Sequence, residues 1–437
     1  MEGMKTIFAQ ASAPGRGGVA VVRVSGETAF LCANVLTGKD KFVPRQAELR
    51  ILRAADGTPI DRALVIRFPA PKSYTGEDVV EFHVHGGRAV VEALSEALGA
   101  MDGVRPAGPG EFTRRAVENG KLDLTQAEAI ADLVDAETKS QREQALKQYD
   151  GALGALYEGW RTELIKVLAY GEAAIDFADE DLPETLDVAR AGAAKICHAI
   201  DAHLADGRRG EIVRDGFRVA VIGPANAGKS SLVNALARRE VAIVSPEPGT
   251  TRDVIEVHLD LGGYAVILSD TAGLREAKGT VEAEGMRRAL RRAEEADLVL
   301  LLMDGSKTAK TFSFSEKNNK KQCITVWNKM DLPWKESRKG LAISVKNGAG
   351  IETLVAKIAA AAAKRLSSGR SVPLTRARHR HALEACSAAL HRAGKTEETE
   401  LFAEDIRLAM RELGRITGRV DVEDVLDVVF KDFCIGK

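Results

Sequence analysis

Phe217-Arg218-Val219-Ala220-Val221-Ile222 runs straight into Gly223-Pro224-Ala225-Asn226-Ala227-Gly228-Lys229-Ser230, and Ser231-Leu232-Val233-Asn234-Ala235-Leu236 follows. The first six residues suit a buried strand and the last six carry a helical period, with GxxxxGK[ST] between them. A strand before and a helix after are the context in which this spacing forms a phosphate-binding loop. Its glycines let backbone N–H groups curl around phosphate oxygens at a helix N-terminus. Ala227, Gly228 and Ser231 are expected to line the phosphates, Lys229 to reach the β/γ-phosphates, and the Ser230 hydroxyl to ligate Mg²⁺.

Two further elements follow in the order such a site needs. Val266-Ile267-Leu268-Ser269-Asp270-Thr271-Ala272-Gly273 reads as a strand ending in an acid. Asp270 suits a water-mediated hold on Mg²⁺, and Gly273 is free to meet the γ-phosphate beside Thr271 and Ala272. Cys323-Ile324-Thr325-Val326-Trp327 then leads into Asn328-Lys329-Met330-Asp331. An aspartate at that place accepts both N1–H and the 2-amino group of guanine. Adenine lacks that donor pair, and a buried unpaired carboxylate penalises it by several kcal/mol. The substrate read from the chain is therefore GTP. A fifth element, Ala342-Ile343-Ser344-Val345-Lys346, either places N–H groups near the guanine oxygen or is an ordinary strand end.

Outward from this unit the texture changes on both sides. Residues 1–120 read as α+β, with β-branched runs at Gly18–Val24 and Val79–His85 and a helix over about Arg88–Leu98. Residues 121–215 and 374–437 carry helical periods; Thr125 with Glu128 reads as a capping box, and Leu153, Leu156, Trp160, Leu164 and Leu168 continue the spacing. The strand-helix alternation occupies 216–366, after which Ser367-Ser368-Gly369-Arg370-Ser371-Val372-Pro373 reads as a linker. Asp304 to Gln322 reads as a solvated loop. The fold class expected is multidomain α/β and α, with the phosphate-loop unit inserted into a discontinuous helical domain. Two separate helical domains would leave the same pattern.

Composition sets the limits. The chain has 437 residues, 45% hydrophobic, and 62 Lys+Arg against 63 Asp+Glu give a net charge of -1. At roughly 150 residues per domain this is two to three domains. The apolar share excludes a disordered chain, and the balanced charge argues against coating nucleic acid by global charge. Five scattered cysteines with no CxxC pair match neither a disulfide framework nor a zinc ribbon. No apolar run reaches spanning length. A cytoplasmic protein with no membrane contact is expected.

The catalytic arrangement is unusual. Ras-like GTPases often orient the attacking water with a glutamine just after Asp-x-x-Gly, where this chain has Leu274. Asn226, Arg275 and Glu282 are the candidates to replace it. A cation held by Asn226 would stabilise developing charge as an arginine finger does, worth about 10³–10⁵ in rate. A loop-capping amide is the plainer role for Asn226.

Beyond these motifs the chain resembles the MnmE (TrmE) family of tRNA-modifying GTPases over nearly its whole length. The likeness rests on Pro14–Gly18 with Val22–Gly26, Tyr74–Asp78 with His85–Gly87, Gly108–Thr113, Lys121–Leu124, Gly249–Asp253, Asp270–Glu276 and the terminal Phe433-Cys434-Ile435-Gly436-Lys437. The resemblance implies an N-terminal folate-binding and dimerising domain, a helical domain, and G domains that dimerise across their nucleotide faces under potassium. It implies K⁺ among Asn226, Ser245, Glu247 and Thr250, Mg²⁺ at Ser230 and Thr251, and Glu282 positioning the water. It places Arg23, Glu81, Lys121 and Lys437 on 5-formyl- or methylene-tetrahydrofolate and gives Cys434 to the modification chemistry. A homodimer, an FAD-binding partner of the MnmG/GidA kind and tRNA are the implied partners. Three features depart from the family pattern: Ser245-Pro246-Glu247-Pro248 puts prolines into the potassium loop, Val345 stands where alanine is usual, and the segment between Asp304 and Gln322 is unlike the family's.

Several residues also have plain readings. His83 and His85 alternate on a strand, for which packing outranks a metal pair. Arg370, Arg376, Arg378 and Arg380 suit either tRNA phosphates or a solvated helix start. Two function classes fit the nucleotide motifs: an enzyme modifying C5 of the wobble uridine, and a GTP-dependent RNA or ribosome assembly switch without base chemistry. Cys434 and the Arg23/Glu81/Lys121 set favour the enzyme, because a pure switch needs neither.

Overall fold

The computed structural model describes residues 5–176, 183–239, 241–243, 256–270, 291–307, 322–333, 339–366, 373–420, 426, 429–430 and 433–436. Ser245, Glu247, Thr250, Thr251, Thr271, Ala272, Gly273, Arg275, Glu282, Arg370 and Lys437 lie outside the described residues, as do most of the 304–322 loop and of the 367–373 linker, and the side chain of Asp270. The chain separates into two compact units: residues 1–131 with 154–162 and 410–437, and residues 132–153 with 163–409. Among the described residues no helix is long and apolar enough to cross a membrane.

The first unit holds a six-stranded sheet. Its strands are β1 (Thr6–Gln10), β2 (Gly17–Ser25), β3 (Glu48–Arg53), β4 (Pro59–Phe68), β5 (Val79–Gly86) and β6 (Val104–Pro106), in the order β3-β4-β5-β2-β1-β6. All pairs are antiparallel except β1 with β6. Strand alternation turns Val22, Val24, Val80, Phe82 and Val84 to one face, where α1 (Ala29–Thr37) and α2 (Arg88–Gly99) cover them through Leu36, Leu94 and Leu98. Each such side chain contributes roughly 1.5–3 kcal/mol by burial. The same alternation sends Arg23 and Glu81, paired across β2 and β5, to the opposite face.

On that face Arg115, in α3 (Glu111–Glu118), is a buried knot with 3% side-chain exposure. Its guanidinium donates to Glu77 Oε2 at 3.0 Å, Glu111 Oε1 at 3.1 Å and the Lys5 carbonyl at 2.7 Å. Removing one member of a buried ion network leaves the others desolvated and unpaired. We expect Arg115→Met to destabilise this unit by about 3–5 kcal/mol in denaturant unfolding. Glu111 adds an acid dependence: burial pushes its carboxyl up, but Arg105, the Gly108 N–H and Arg115 outweigh that and hold it low. A depressed folded pKa means the contribution is complete above the unfolded value, about pH 4.3, and is lost as pH falls through the folded one.

The next helix, α4 (Leu124–Val134), corrects one sequence expectation. Thr125 and Glu128 lie inside the helix and form no cap; the box is built two residues earlier by Asp123 and Gln126. Asp123 Oδ1 accepts from the Gln126 N–H at 2.9 Å, and Gln126 Oε1 accepts from the Asp123 N–H at 3.1 Å. Asp is as good an N-cap as Thr, and here it alone precedes the first buried apolar residue, Leu124.

The second unit contains α5 (Lys139–Tyr149), much of α6 (Ala152–Asp176), α7 (Pro183–Leu204), α8 (Arg209–Asp215) and a second six-stranded sheet. The sheet comprises β7 (Phe217–Ile222), β8 (Glu256–Leu261), β9 (Tyr264–Asp270), β10 (Leu298–Asp304), β11 (Gln322–Asn328) and β12 (Leu341–Ala342). Their order is β12-β11-β10-β7-β9-β8, parallel but for the edge strand β8. In β7, Val219, Ala220, Val221 and Ile222 are each at most 1% exposed, because helices cover both faces of a parallel sheet. Helices α9 (Lys229–Ala237) and α10 (Ile351–Leu366) flank the sheet; α11 (Ala377–Ala393) and α12 (Thr399–Thr417) follow. Two arginines of the basic run at the start of α11 are paired within the protein. Arg376 pairs with Asp132 at 2.5 Å, and Arg380 holds Asp206 and Glu211 at 2.9 and 2.7 Å.

Candidate nucleotide and folate-side sites

Strand β7 sits between β9 and β10, so the loop leaving its carboxyl end emerges where the strand order reverses, the usual ligand crevice of such sheets. Gly223 leaves the strand at φ +151°, and a Cβ there would lie 2.0 Å from the Leu302 carbonyl oxygen. Asn226 is exposed at φ +59° within the loop. Lys229 Nζ donates to the carbonyls of Gly223 and Pro224, both at 3.0 Å, which sets the ammonium across the loop's mouth. Ser230 and Ser231 open the helix beside it.

Asn328 ties the loop to the base side. Its Nδ2 donates to the Ala227 carbonyl at 2.9 Å, while Oδ1 accepts from the N–H of Lys329 at 2.8 Å and of Val345 at 3.1 Å. Asn328 thus works through the protein, as a clamp between three loops. The Val345 N–H is spent on that clamp, so the fifth element orients Asn328 and Asp331 within the protein. Ser344, fully buried, donates its hydroxyl to Asp331 Oδ1 at 2.6 Å. That bond holds the Asp331 carboxyl below its ordinary range, ionised and aimed.

Sequence reading missed Asp304. It ends β10 opposite Asn328 in the strand register, is 8% exposed, and accepts from Lys329 Nζ at 2.7 Å and Ser306 Oγ at 2.6 Å. Burial pushes its carboxyl up, and the Lys329 and Ser306 bonds more than offset this. The apolar run Leu298–Met303 ending in an acid was its only signal. Lys329, at φ +69°, has its ammonium fixed by this acid.

An ionised Asp331 would accept the two guanine donors expected there, and an amide would turn a donor against them. We expect Asp331→Asn to weaken GTP about 10²–10³-fold and to favour xanthosine triphosphate, measured by competition for hydrolysis.

The first unit carries a second constellation. Arg23 Nε donates to Glu81 Oε1 at 3.0 Å, and its guanidinium lies over the rings of Tyr74 at 4.9 Å and Phe112 at 5.7 Å from their centroids. His83 Nε2 stands 3.4 Å from Glu81 Oε2, and His85 pairs with Asp61 at 2.8 Å. The two histidines therefore face separate carboxylates, His85 in a hydrogen bond and His83 Nε2 without one. Lys121 is exposed after α3, its stem against Gly76. The chain's last residues dock onto the same unit: the Cys434 carbonyl accepts from the Gly110 N–H at 3.2 Å, Ile435 bridges to Pro109, and Phe433 packs on Phe430 at 5.0 Å. Cys434 itself is exposed. The aromatic platform under Arg23 was not singled out from sequence, because an aromatic in an α+β domain reads first as core.

Residues 124–434 match the MnmE helical domain family, and residues 6–121 match the family of the GTP-binding protein TrmE N-terminus. The chain is 53% identical over 443 residues to the tRNA modification GTPase MnmE of Parvibaculum lavamentivorans, covering 99% of this chain and 100% of that one. It is 52% identical over 440 residues to the MnmE of Paramagnetospirillum magneticum, with coverages of 99% and 100%. It is also 46% identical over 458 residues to the human mitochondrial 5-taurinomethyluridine-[tRNA] synthase subunit GTPB3, covering 99% and 93%. With a phosphate-loop sheet in one unit, family matches over residues 6–121 and 124–434, and a relative 53% identical along 99% of the sequence, this chain belongs to the MnmE family of tRNA modification GTPases.

Proposed function

We propose that this protein is a potassium-stimulated GTPase that modifies C5 of the wobble uridine of certain tRNAs, together with an FAD-dependent partner. The one-carbon unit comes from methylene-tetrahydrofolate. The carrying observation is that the first unit combines the Arg23–Glu81 pair and its aromatic platform with a docked, exposed Cys434. Glu81 offers carboxylate oxygens to the pterin's N–H edge, and Arg23 and Tyr74 offer a cationic and an aromatic face. Lys121, with Lys437, supplies charge for the folate tail. A GTP switch without base chemistry has no use for these groups.

On this reading the domains run 1–120, 121–215 with 374–437, and 216–366, the last being the inserted G domain. The chain acts in the cytoplasm as a homodimer bound to its flavoprotein. Asn226, with Ser245, Glu247 and Thr250, holds K⁺ against the phosphates; Ser230 and Thr251 hold Mg²⁺. Glu282 positions the attacking water, Arg275 moves with it, and Asp270 to Gly273 sense the γ-phosphate. GTP turnover gates access to the modifying site.

The test is nucleoside mass spectrometry of tRNA from cells lacking this chain, complemented with wild type or Cys434→Ser. Wild type is expected to restore the C5-modified uridine and Cys434→Ser to leave it absent. An unchanged uridine in the deletion would overturn this reading in favour of the assembly switch.

A further inference from the structure

In the second unit, α7 and α11 bring together three side chains of metal-ligating chemistry that no nucleotide or folate role uses. Cys197 and Asp201 lie one helical turn apart on α7, and Ser387 and His391 one turn apart on α11, so each pair shares a face. Asp201 Oδ2 stands 3.9 Å from Cys197 Sγ and 3.0 Å from His391 Nε2, and the three ligand atoms all fall within 4.8 Å of one another. Around a tetrahedral zinc ion with bonds of about 2.0–2.3 Å, neighbouring ligand atoms stand roughly 3.3–3.6 Å apart. The two distances miss that spacing by small amounts in opposite senses, which side-chain rotation corrects.

We propose that Cys197 Sγ, Asp201 Oδ2 and His391 Nε2 form a three-ligand site for Zn²⁺ that pins α7 to α11. A supporting contact is in place: the Ser387 hydroxyl donates to the second carboxylate oxygen, Asp201 Oδ1, at 2.5 Å, the outer hydrogen bond that orients metal-bound carboxylates. The environment is graded as such a site requires. Cys197 is 5% exposed, whereas the side chains of His391 and Asp201 are 58% and 42% exposed, leaving a solvent side for entry and for a water as fourth ligand. A thiolate with an imidazole selects zinc over Mg²⁺ and Ca²⁺, which take oxygen ligands. Burial, and then the Asp201 charge, push the Cys197 thiol up, and a bound dication reverses that by displacing the proton. The pinned helices are those that lead into α8 and return from the phosphate-loop sheet, so the ion braces the base of the nucleotide unit.

The experiment uses the full chain, stripped with a chelator and reloaded with Zn²⁺ or with Co²⁺ as a spectroscopic stand-in. After gel filtration wild type is expected to retain zinc, and the Co²⁺ form to show a thiolate-to-cobalt charge-transfer band. His391→Ala, on an exposed side chain, should weaken zinc retention by more than about tenfold. The cobalt band should vanish in Cys197→Ser and persist in Cys434→Ser. Divalent ions at the nucleotide's Mg²⁺ position give no sulfur band, which separates the two sites. A wild type that retains no zinc, a band that survives Cys197→Ser, or retention unchanged by His391→Ala would each overturn the assignment.

Discussion

Gly228→Ala is expected to cost at least about 100-fold in GTP affinity, because one methyl group strikes both halves of the nucleotide site. Gly228 caps α9 at φ +99°, a conformation that L side chains rarely adopt. A Cβ built there would sit 2.4 Å from Asn328 Nδ2. That nitrogen cannot simply step aside, since it holds the Ala227 carbonyl while Oδ1 of the same amide holds the Lys329 and Val345 N–H groups. Moving Asn328 therefore loosens the phosphate loop, the Lys329 backbone and the turn that aims Ser344 at Asp331. Each buried polar group left unpaired costs roughly 1–3 kcal/mol. A double-mutant cycle makes the mechanism specific. Asn328→Ala removes the clash as well as the clamp, so Gly228→Ala should cost much less in that background than in wild type. Additive losses, read by nucleotide titration, would mean that the strain lies in the backbone alone and that Asn328 does not transmit it.

The nucleotide site was legible because its chemistry is local. A phosphate loop needs glycines and a lysine within one turn, and the guanine reader needs Asn328 to Asp331 in sequence, so both announce themselves as words. What the sequence hid are partners fixed by strand register and helix packing. Asp304 reaches Lys329 only because β10 and β11 pair in parallel with Asp304 beside Asn328. Arg23 and Glu81 stand 58 positions apart and meet through the antiparallel register of β2 and β5. The α4 cap was misplaced by two residues because Thr-x-x-Glu and Asp-x-x-Gln satisfy the same geometry, and only the burial of Leu124 decides between them. The Cys197–Asp201–His391 cluster is further from view, since its ligands come from helices that precede and follow the phosphate-loop sheet in the chain.

Gly436→Ala is expected to abolish uridine modification as fully as Cys434→Ser does, while GTP hydrolysis continues. Gly436 sits at φ +100°, and a Cβ there would lie 2.1 Å from the Gln10 carbonyl oxygen and 3.1 Å from the Ala11 Cα. Both obstacles are backbone at the end of β1, whose pairing with β2 and β6 prevents retreat. The chain end must give way, and with it the Gly110–Cys434 hydrogen bond and the Pro109–Ile435 bridge that place the thiol. Global stability should change little, because the anchor upstream is hydrophobic: Phe433 is 8% exposed and packs, tilted, on Phe430 against Gly110. The phosphate loop belongs to the other unit and keeps every contact described for it. Ile435→Ala is the control, since that side chain is 63% exposed and its bridge is made by backbone. Both variants should turn over GTP like wild type; only Gly436→Ala should leave the tRNA unmodified in nucleoside mass spectrometry. Full modification by Gly436→Ala would show that the docked geometry does not position Cys434 for the reaction, and the thiol would then have to act from a displaced tail.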